Sequence, residues 1–532
     1  FALKISTRAK LEKHAIRLRG RRVDDLFAAN PDRFEQFTLV QNGIALDYSR
    51  QLLDAEARDA LVAYAEEQQL ASKSAALFAG DKVNTTEGRA ALHMALRAQS
   101  DDRFALDGDD LMPLVTEERE RFLSYAEAIR DGKVTGHSGK SINTVVNIGI
   151  GGSHLGPLLA TDALAYSSGF DCHFISGAGG QDLDITLHSI DPETTLFIVC
   201  SKTFTTRETM LNANAAREWF VGQMSEEAIA SHFAAVSTNS GAMDKFGISQ
   251  SARFSIWDWV GGRYSVWSAI GLIIAIAIGR DAFMDMLAGA ASMDKHFRSS
   301  PWLQNMPVLL ALVDLWNRDF LLKNNHLFLP YDRRLHYFPD YIQQLEMESL
   351  GKSVRLDGTP VDYQTSPSVW GMNGSNAQHS FMQALHQGTL RSSVDFFAVA
   401  KPGPNYSGHN AEGQHDVALA SMLAQAEALK SGRQAHEVEG LENAAHRVQK
   451  GNVPSNILVL HELSPFSLGS LMALYEHKVF VLGVLWDINP FDQWGVELGK
   501  ILTNKYEALL ADEISTTDPR NIVTLIREWQ QD

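Results

Sequence analysis

Apolar, β-branched runs alternate with helical segments through the first half of the chain. The run Thr194–Cys200 is dominated by Leu, Phe, Ile and Val, which is typical of a strand buried on both faces of a sheet. The segment that follows it, Glu208–Phe220, has helical composition. Because strands alternate with helices here, we expect a parallel sheet with right-handed crossovers. Three similar runs predict its other strands: Thr144–Ile150, Asp171–Ser176 and Ala234–Thr238.

The second half of the chain repeats this alternation. Its apolar runs predict three strands, His326–Pro330, Val394–Ala400 and Asn456–Leu463. Its periodic segments predict four helices, Asp340–Glu348, Gln378–Gln387, Val417–Lys430 and Phe466–Leu482. We therefore expect an α/β fold of two α/β/α sandwich domains with parallel-rich sheets and helical extensions at both ends.

The N-terminal part of the chain is predicted to be mostly helical. Leu52–Glu67 has an apolar stripe, and Thr86–Arg97 opens with a Thr-Glu capping pair. Leu114–Arg130 reads as a charged amphipathic helix that leads into the first sheet. We expect a helical segment over 1–115, a smaller α/β domain over 116–290, and a larger α/β domain with a helical tail over 291–532.

Composition and charge indicate which binding partners and which cellular location to expect. The chain has 532 residues and a formal net charge of −17, which argues against nucleic acid or an anionic membrane, since both favour a basic face. Its longest apolar run, Ala269–Gly279, is shorter than the roughly 20 residues that span a bilayer. The first ten residues have no apolar signal core, and the two cysteines suit a reducing compartment. We expect a cytoplasmic protein without a metal site.

A hydroxyl-rich turn follows the strand Thr194–Cys200. Five hydroxyl side chains and one lysine, Lys202, stand within Ser201–Thr209. A helix that starts after such a turn directs its N–H groups and its positive dipole end at the turn, so an anion can bind there. The alternative is that these Ser and Thr residues only cap the helix.

A glycine-rich turn follows the strand Thr144–Ile150. The turn reads GIGGSHLGP over Gly149–Pro157. A dinucleotide-binding fingerprint needs glycine where His154 stands, and a P-loop needs a lysine after the glycines. Neither motif is intact, and a tight turn without a ligand is the alternative. Two such turns at the carboxyl ends of strands in one sheet nevertheless predict a phosphate site.

Four further segments could supply catalytic groups, and each has a plainer structural interpretation. Arg263 follows Gly261-Gly262 and could instead pair with Asp258, while Glu348 at a helix end could be solvated surface. His379 enters a helix and could be a cap or a titratable group. Gln493, Glu497 and Lys500 share a helical spacing, and Glu497 with Lys500 could be an exposed ion pair.

Two long stretches are distinctive, Asp258–Gly271 (DWVGGRYSVWSAIG) and Gly483–Lys500 (GVLWDINPFDQWGVELGK). Both resemble signature segments of the glucose-6-phosphate isomerase family. The likeness covers nearly the whole chain in order. Shorter similar segments are Thr86–Arg97, Ile148–Pro157, Ser201–Thr209, Glu346–Lys352 and Gln378–Gly388.

This resemblance implies a reaction class and an assembly. The family interconverts glucose 6-phosphate and fructose 6-phosphate by ring opening and proton transfer through a cis-enediol(ate), without metal or organic cofactor. Its fold is a pair of sugar-isomerase-type sandwiches, and it forms a homodimer. The expected partner is therefore a small sugar phosphate and a second copy of the chain, with neither nucleic acid nor a membrane.

The resemblance also implies site residues. Glu348 would move the proton between C2 and C1, and Arg263 would stabilise the enediolate. His379, reaching in from the neighbouring subunit, would open the sugar ring with help from Lys500. Gln344 and Gln493 would hold sugar hydroxyls. The phosphate would be held by Gly152, Ser153, Ser201, Lys202 through its backbone, Thr203 and Thr206.

The chain departs from the family pattern at several positions. The family usually has Asp at His154, Asn at Leu350, Glu-Pro-Gly-Thr at Met372–Ser375 and Ser-Asn-Val-Asp-Gly within Ser176–Asp182. None of these changes replaces a predicted catalytic residue, so we expect them to affect geometry and rate rather than reaction type.

Two other functions are compatible with parts of the pattern. A sugar-phosphate-binding regulator would need the two turns but not Glu348, His379 and Lys500 together. A nicotinamide-dependent dehydrogenase would use the glycine turn, and His154 weakens that interpretation.

Overall fold

Two compact units make up the chain, residues 1–490 and residues 491–532. The computed structural model describes residues 6–166, 168–404, 410–511 and 522–531. The strands in these ranges are β1 Thr38–Gln41, β2 Ile44–Asp47, β3 Ala105–Leu106, β4 Asp109–Asp110, β5 Thr144–Ile148, β6 Asp171–Ile175, β7 Thr195–Cys200, β8 Phe233–Val236, β9 Arg253–Phe254, β10 Asn325–Pro330, β11 Ser368–Gly371, β12 Ser392–Val399 and β13 Ser455–Leu460.

Helices cover both large sheets, and two more lie in the described part of the second unit. Those of the N-terminal region and the first sheet are α1 Thr7–Arg19, α2 Val23–Ala29, α3 Arg33–Gln36, α4 Ala55–Glu67, α5 Leu70–Ala79, α6 Met112–Arg130, α7 Leu155–Leu164, α8 Gln181–Ser189, α9 Arg207–Gln223, α10 Ile229–His232, α11 Ser240–Phe246, α12 Leu272–Ile278 and α13 Arg280–Ser299. Those that follow are α14 Met306–Leu315, α15 Phe338–Leu350, α16 Gly374–Gln378, α17 Met382–His386, α18 Ala411–Ser431, α19 Ala444–Arg447, α20 Pro465–Leu485, α21 Glu497–Leu510 and α22 Ile522–Gln531.

The first sheet has five strands, all parallel, in the order β6-β5-β7-β8-β9. The chain goes from β5 to β6 on one side and then returns to β7 on the other, so β5 and β7 are adjacent. Ile148 and Val199 are paired, which means that the two strands end at nearly the same level. This is a topological switch point, the place where α/β sheets bind ligands.

The second sheet has six strands in the order β1-β2-β13-β12-β10-β11. Strands β13, β12, β10 and β11 are parallel neighbours, whereas β2 pairs with β13 and with β1 antiparallel. The α/β fold with parallel-rich sheets is therefore confirmed. The first 115 residues are not wholly helical, because the hairpin β1-β2 extends this sheet at one edge. The domain boundaries at 115 and 290 stay a prediction.

Helix α20 runs through the protein core and packs against α13, α14 and α15. By length and composition it is the one described helix that could cross a membrane, but the whole of its most apolar stretch is buried inside the protein. Every residue from Ser467 to Leu485 is buried, so this helix serves as core.

Two predicted helices are wrong in their extent. Thr86–Arg97 contains only a 3-10 turn at His93–Arg97, because Asn84 and Arg89 exchange backbone hydrogen bonds of 3.1 Å and Leu92 donates its N–H to the carbonyl of Trp259. The segment Gln378–Gln387 is interrupted between α16 and α17. The other predicted helices and strands agree with the structure to within a few residues.

Candidate active site

The two predicted turns meet at the carboxyl ends of β5 and β7. Asn147, a fully buried residue of β5, connects them. Its side-chain amide donates to the carbonyl of Ser153 at 3.0 Å, and its carbonyl oxygen accepts from the Cys200 thiol at 3.3 Å. Gly151 has a φ of +59°, a left-handed conformation that glycine adopts without a steric penalty. The glycine turn is thereby held against the end of β7.

The hydroxyl-rich turn is linked within itself. Ser201 Oγ donates to Thr206 Oγ1 at 3.2 Å, and the hydroxyls of Thr203 and Thr205 lie 2.6 Å apart. Thr206 is the N-cap residue of α9, yet its side chain makes no capping hydrogen bond. The simple capping interpretation therefore does not account for this residue. Two pairs of hydroxyls therefore lie just before α9.

The side chain of Lys202 pairs with a carboxylate outside the hydroxyl-rich turn. Its ammonium lies 3.1 Å from Asp258 Oδ1, and this pairing lowers the pKa of the Asp258 carboxyl. The Lys202 carbonyl accepts hydrogen bonds from Ser237 and Thr238. The ammonium and the carbonyl of Lys202 thus already have partners. Its backbone N–H is the group that could donate to an anion.

Arg263 reaches the end of helix α15. Its guanidinium donates to Glu348 Oε1 at 2.8 Å, to Ser349 Oγ at 2.6 Å and to the carbonyl of Pro490 at 2.7 Å. The Arg263 side chain is 1% exposed and that of Glu348 is 23% exposed. Arg263 thus pairs with Glu348, while the nearby Asp258 pairs with Lys202. Glu348 is not the free surface carboxylate of the alternative interpretation.

The glycine turn lies directly against the segment that carries Arg263. A Cβ atom on Gly152 would be 1.9 Å from the carbonyl oxygen of Gly262 and 2.7 Å from the backbone nitrogen of Arg263. A Cβ atom on Gly151 would be 2.9 Å from Gln344 Nε2. Glycine allows this close approach because it has no side chain. The glycine turn therefore lies next to both Arg263 and Gln344 of α15.

Helix α15 carries Gln344 and Glu348 one turn apart on the same face. Its C-terminal end is closed by Lys352, whose ammonium donates to the carbonyls of Glu348 and Ser349 at 3.0 and 2.9 Å. A cation at this end also favours the helix dipole. The backbone at Glu348 is therefore fixed on one side by Lys352 and its side chain by Arg263.

Nine predicted residues are brought together by these contacts. They are Gly152, Ser153, Ser201, Lys202, Thr203, Thr206, Arg263, Gln344 and Glu348.

The other three predicted residues are His379, Gln493 and Lys500. His379 is exposed just after α16, with its backbone N–H bonded to Asn376. Gln493 and Lys500 belong to the 491–532 unit, where Lys500 lies 3.4 Å from Glu497.

The departures from the family pattern occupy distinct places. Leu350 is fully buried at the end of α15. His154 lines a cavity of about 500 Å³ beside β6 together with Asp182. Burial lowers the pKa of His154, against the opposing effect of Asp182, and within the described chain its Nδ1 has no hydrogen-bond partner.

Sequence reasoning missed two groups that shape the site. Asn147 is the one amide inside the run TVVNI, and a lone amide in a buried strand indicates a specific hydrogen-bonding role. Glu476, His477 and Lys478 interrupt an otherwise apolar helix, a signal of buried ion pairs.

Comparisons with known proteins identify the family of the chain. The family model described as phosphoglucose isomerase matches residues 47–521. A glucose-6-phosphate isomerase of Deinococcus deserti is 46% identical, covering 98% of this chain and 97% of the relative. Another, of Frankia casuarinae, is 49% identical over 92% and 90%.

Solved structures show the same similarity. The crystal structure of a glucose-6-phosphate isomerase from Chlamydia trachomatis superposes with a TM-score of 0.86 at 31% identity and covers 99% of both chains. A hypothetical protein from Thermus thermophilus gives a TM-score of 0.57 at 27% identity over 75% of this chain and 95% of its own.

Proposed function

The chain belongs to the phosphoglucose isomerase family and interconverts glucose 6-phosphate and fructose 6-phosphate, and from that premise we propose which of its residues carry the reaction. The observation that supports the assignment best is the Arg263–Glu348 pair beside the glycine turn. In this proposal the carboxylate and the fixed cation stand beside two turns that bind the phosphate. Isomerisation of a sugar phosphate needs these three elements together.

The phosphate is held by the two turns. The donors are the hydroxyls of Ser153, Ser201, Thr203 and Thr206 and the backbone N–H groups of Gly152 and Lys202. Helices α7 and α9 begin at these turns and add their positive dipole ends. The Asp258 contact of the Lys202 ammonium supports the backbone role of that residue. Because the protein is acidic overall, this local cluster of donors has to supply the attraction for the dianion.

Glu348 removes the proton from one carbon and returns it to the next. As the proton leaves C2 of the open-chain aldose, negative charge develops on the C1 oxygen, and Arg263 stabilises that oxygen. Uptake of the proton neutralises Glu348, so the guanidinium loses its carboxylate partner just when the enediolate needs a cation. Gln344, one turn before Glu348, holds a sugar hydroxyl. Every step is a proton transfer between substrate and side chains, so the proposal requires no cofactor.

The cyclic sugar is opened by His379 and Lys500, with Gln493 holding another hydroxyl. The exposed position of His379 after α16 supports its contribution to a neighbouring subunit rather than to its own. The protein is therefore proposed to act as a homodimer with two shared sites.

Subunit mixing tests this shared site. Glu348→Gln and His379→Gln subunits are inactive alone, and a mixed dimer regains one site with both groups intact. Random mixing should restore about a quarter of the normal specific activity, because half of the dimers are mixed and each has one good site. No recovery after confirmed subunit exchange means that His379 acts within its own chain.

The reaction itself is tested in heavy water. Purified protein given fructose 6-phosphate should form glucose 6-phosphate with deuterium at C2, detected by NMR. The activity would be rejected if no product formed and the recovered fructose 6-phosphate carried no deuterium at C1. Glu348→Gln should abolish both signals.

The cytoplasm is the proposed location. Both cysteines, Cys172 and Cys200, are unpaired thiols, and free thiols are typical of reducing compartments. The reaction is a step of glycolysis and gluconeogenesis, which agrees with that location.

A further inference from the structure

Three consecutive ionisable residues stand in the middle of the buried helix α20. Glu476, His477 and Lys478 are 1%, 1% and 0% exposed. Buried charges are costly unless they are paired, and each of these residues faces a charged group on another element. His477 Nε2 lies 2.6 Å from Asp294 Oδ1 on α13. The other two residues connect α20 to the segments that carry the proposed catalytic groups.

Lys478 connects α20 to helix α15. Its ammonium lies 2.6 Å from Glu346 Oε1 on α15 and 2.5 Å from Asp314 Oδ2 on α14. Asp314, Glu346 and His326 are grouped closely enough to surround a cation, and the Lys478 ammonium supplies that positive charge. Burial disfavours the ammonium, but the carboxylates outweigh it, and the pKa of Lys478 is raised. The lysine is thus a fixed cation in the core.

Glu476 connects α20 to the segment that carries Arg263. Its Oε1 accepts from the indole N–H of Trp267 at 2.8 Å, and its Oε2 accepts from Arg97. Trp267 lies four residues after Arg263. The intervening Tyr264 stacks on His93 at 4.6 Å between ring centroids. The path from α20 to Arg263 therefore consists of one hydrogen bond and one short, fully buried stretch of chain.

Glu346 and Glu348 leave α15 in nearly opposite directions. Two residues correspond to roughly 200° of rotation in a helix of 3.6 residues per turn. Lys478 consequently holds α15 from the core side while Arg263 holds it from the site side. The helix is fixed between two cations, and α20 is connected to both catalytic segments.

We propose that Lys478 and Glu476 are positioning residues that set the separation of Glu348 and Arg263, through Glu346 on α15 and through Trp267 beside the arginine segment. This inference depends on the function proposed above for Glu348 and Arg263. Neither residue of α20 touches substrate. They determine where the base and the cation stand when the proton moves.

Three variants test the proposal at different points. Glu346→Gln weakens the contact to Lys478 with little change of shape, Lys478→Met removes the cation, and Trp267→Phe removes the donor to Glu476. In each, kcat for fructose 6-phosphate should fall about 10- to 100-fold, since a small misplacement of catalytic groups has effects of this size. The KM should stay within about threefold, because the interactions lost are needed mainly in the transition state.

Arg33→Met is the matched control. Arg33 is also a buried cation, 2% exposed, but it donates to the backbone carbonyls of Ser49, Gln51 and Leu53. This variant should lose thermal stability and keep the normal kcat. Equal losses of kcat in Arg33→Met and Lys478→Met would show a general effect of destabilisation and overturn the proposal.

The double variant Glu346→Gln/Lys478→Met tests the route. If Lys478 acts through Glu346, the double variant should lose as much kcat as the more impaired single variant, because the two side chains form one interaction. Fully additive losses, or a normal kcat in folded Glu346→Gln and Trp267→Phe, would overturn the proposal. If Lys478→Met does not fold, these two milder variants still decide it. An inactive wild-type protein would instead reject the proposed function, so the two failures are distinguishable.

Discussion

Arg263 Nη1 lies 2.8 Å from Glu348 Oε1, so the proposed base and the proposed stabiliser of negative charge are paired before any substrate binds. The pair comes from distant parts of the sequence and is assembled by two contacts: the glycine turn against Gly262, and Ser349 against the guanidinium. Its chemistry is reciprocal. Protonation of the carboxylate frees the cation, and the cation then faces the new oxyanion.

Replacing Glu348 with Gln should separate binding from turnover. The amide cannot accept the proton, so kcat should fall about 10²- to 10⁴-fold, the usual contribution of general acid–base catalysis. The phosphate-binding turns are unchanged, so fructose 6-phosphate should still bind with near-normal affinity in calorimetry. The exposed Glu439 provides the control, and Glu439→Gln should behave like wild type. Near-normal turnover by Glu348→Gln would remove Glu348 from the role of base.

Arg263→Lys should impair both chemistry and stability. A lysine keeps the charge but cannot bond Glu348, Ser349 and the Pro490 carbonyl at once. Loss of the oxyanion donor should lower kcat about 10²- to 10³-fold, measured with a coupled assay for glucose 6-phosphate.

The control for this substitution is Arg334→Lys, which changes another buried arginine that pairs with Asp332. It should lower the melting temperature and leave kcat unchanged. If both variants show the same kcat, the guanidinium of Arg263 has no special part in the reaction.

Gly152→Ala should disrupt the site by steric contact alone. Its Cβ would lie 1.9 Å from the carbonyl oxygen of Gly262, and both are backbone positions that cannot rotate aside. We expect a loss of stability of about 1–3 kcal/mol, typical of overpacking, and a large fall in kcat/KM as the turn moves from Arg263. At Gly177, where a Cβ meets nothing within 4 Å, the same substitution should have little effect. Equal activity of the two variants would contradict the close approach.

The sheets could be predicted from sequence because their strands are continuous apolar runs. Strand β7 and strand β12 are buried at every position, so their apolar runs are recognisable as strands from the local sequence alone. The hairpin β1-β2 was missed because its strands are short and do not alternate clearly between apolar and polar residues. In β1, for example, the apolar Val40 is exposed. The helix predicted over Thr86–Arg97 was wrong because a tertiary bond to Trp259 overrides local propensity.

The candidate site was predictable where glycine or hydroxyl residues cluster along the chain. The turns after β5 and β7 have such local signals, and the parallel sheet then places them at one edge. The Arg263–Glu348 pair has no local signal, because its two partners belong to different elements that meet only in the folded core. The same is true of Lys478 and Glu346. Their charges are visible in the sequence, but their partners are not.

The stability of the protein should depend on pH through His296. This residue is 7% exposed, and its Nε2 accepts the backbone N–H of Met306 at 3.0 Å, which requires an unprotonated nitrogen. Burial, with a smaller effect from His477, lowers the pKa of His296 from 6.5 to about 4. Between these values the unfolded chain binds a proton that the folded chain does not, so the free energy of unfolding falls as the pH drops. The contribution is roughly 2–3 kcal/mol between pH 7 and pH 4.

A His296→Gln variant isolates this effect from other titrating groups. Glutamine offers an oxygen acceptor to Met306 and does not titrate, so the variant should lose less stability than wild type when urea unfolding is compared at pH 7 and pH 4.5. The comparison with this variant is needed because Asp319 acts in the opposite direction. Burial raises the pKa of Asp319 from 3.8 to about 6 despite its Arg8 partner. The folded chain therefore keeps a proton on Asp319 that the unfolded chain releases, which favours the folded state at low pH. Parallel losses in the two proteins would show that the pKa of His296 is the same in the folded and unfolded chains, and the hydrogen bond from Met306 would then have to be assigned differently.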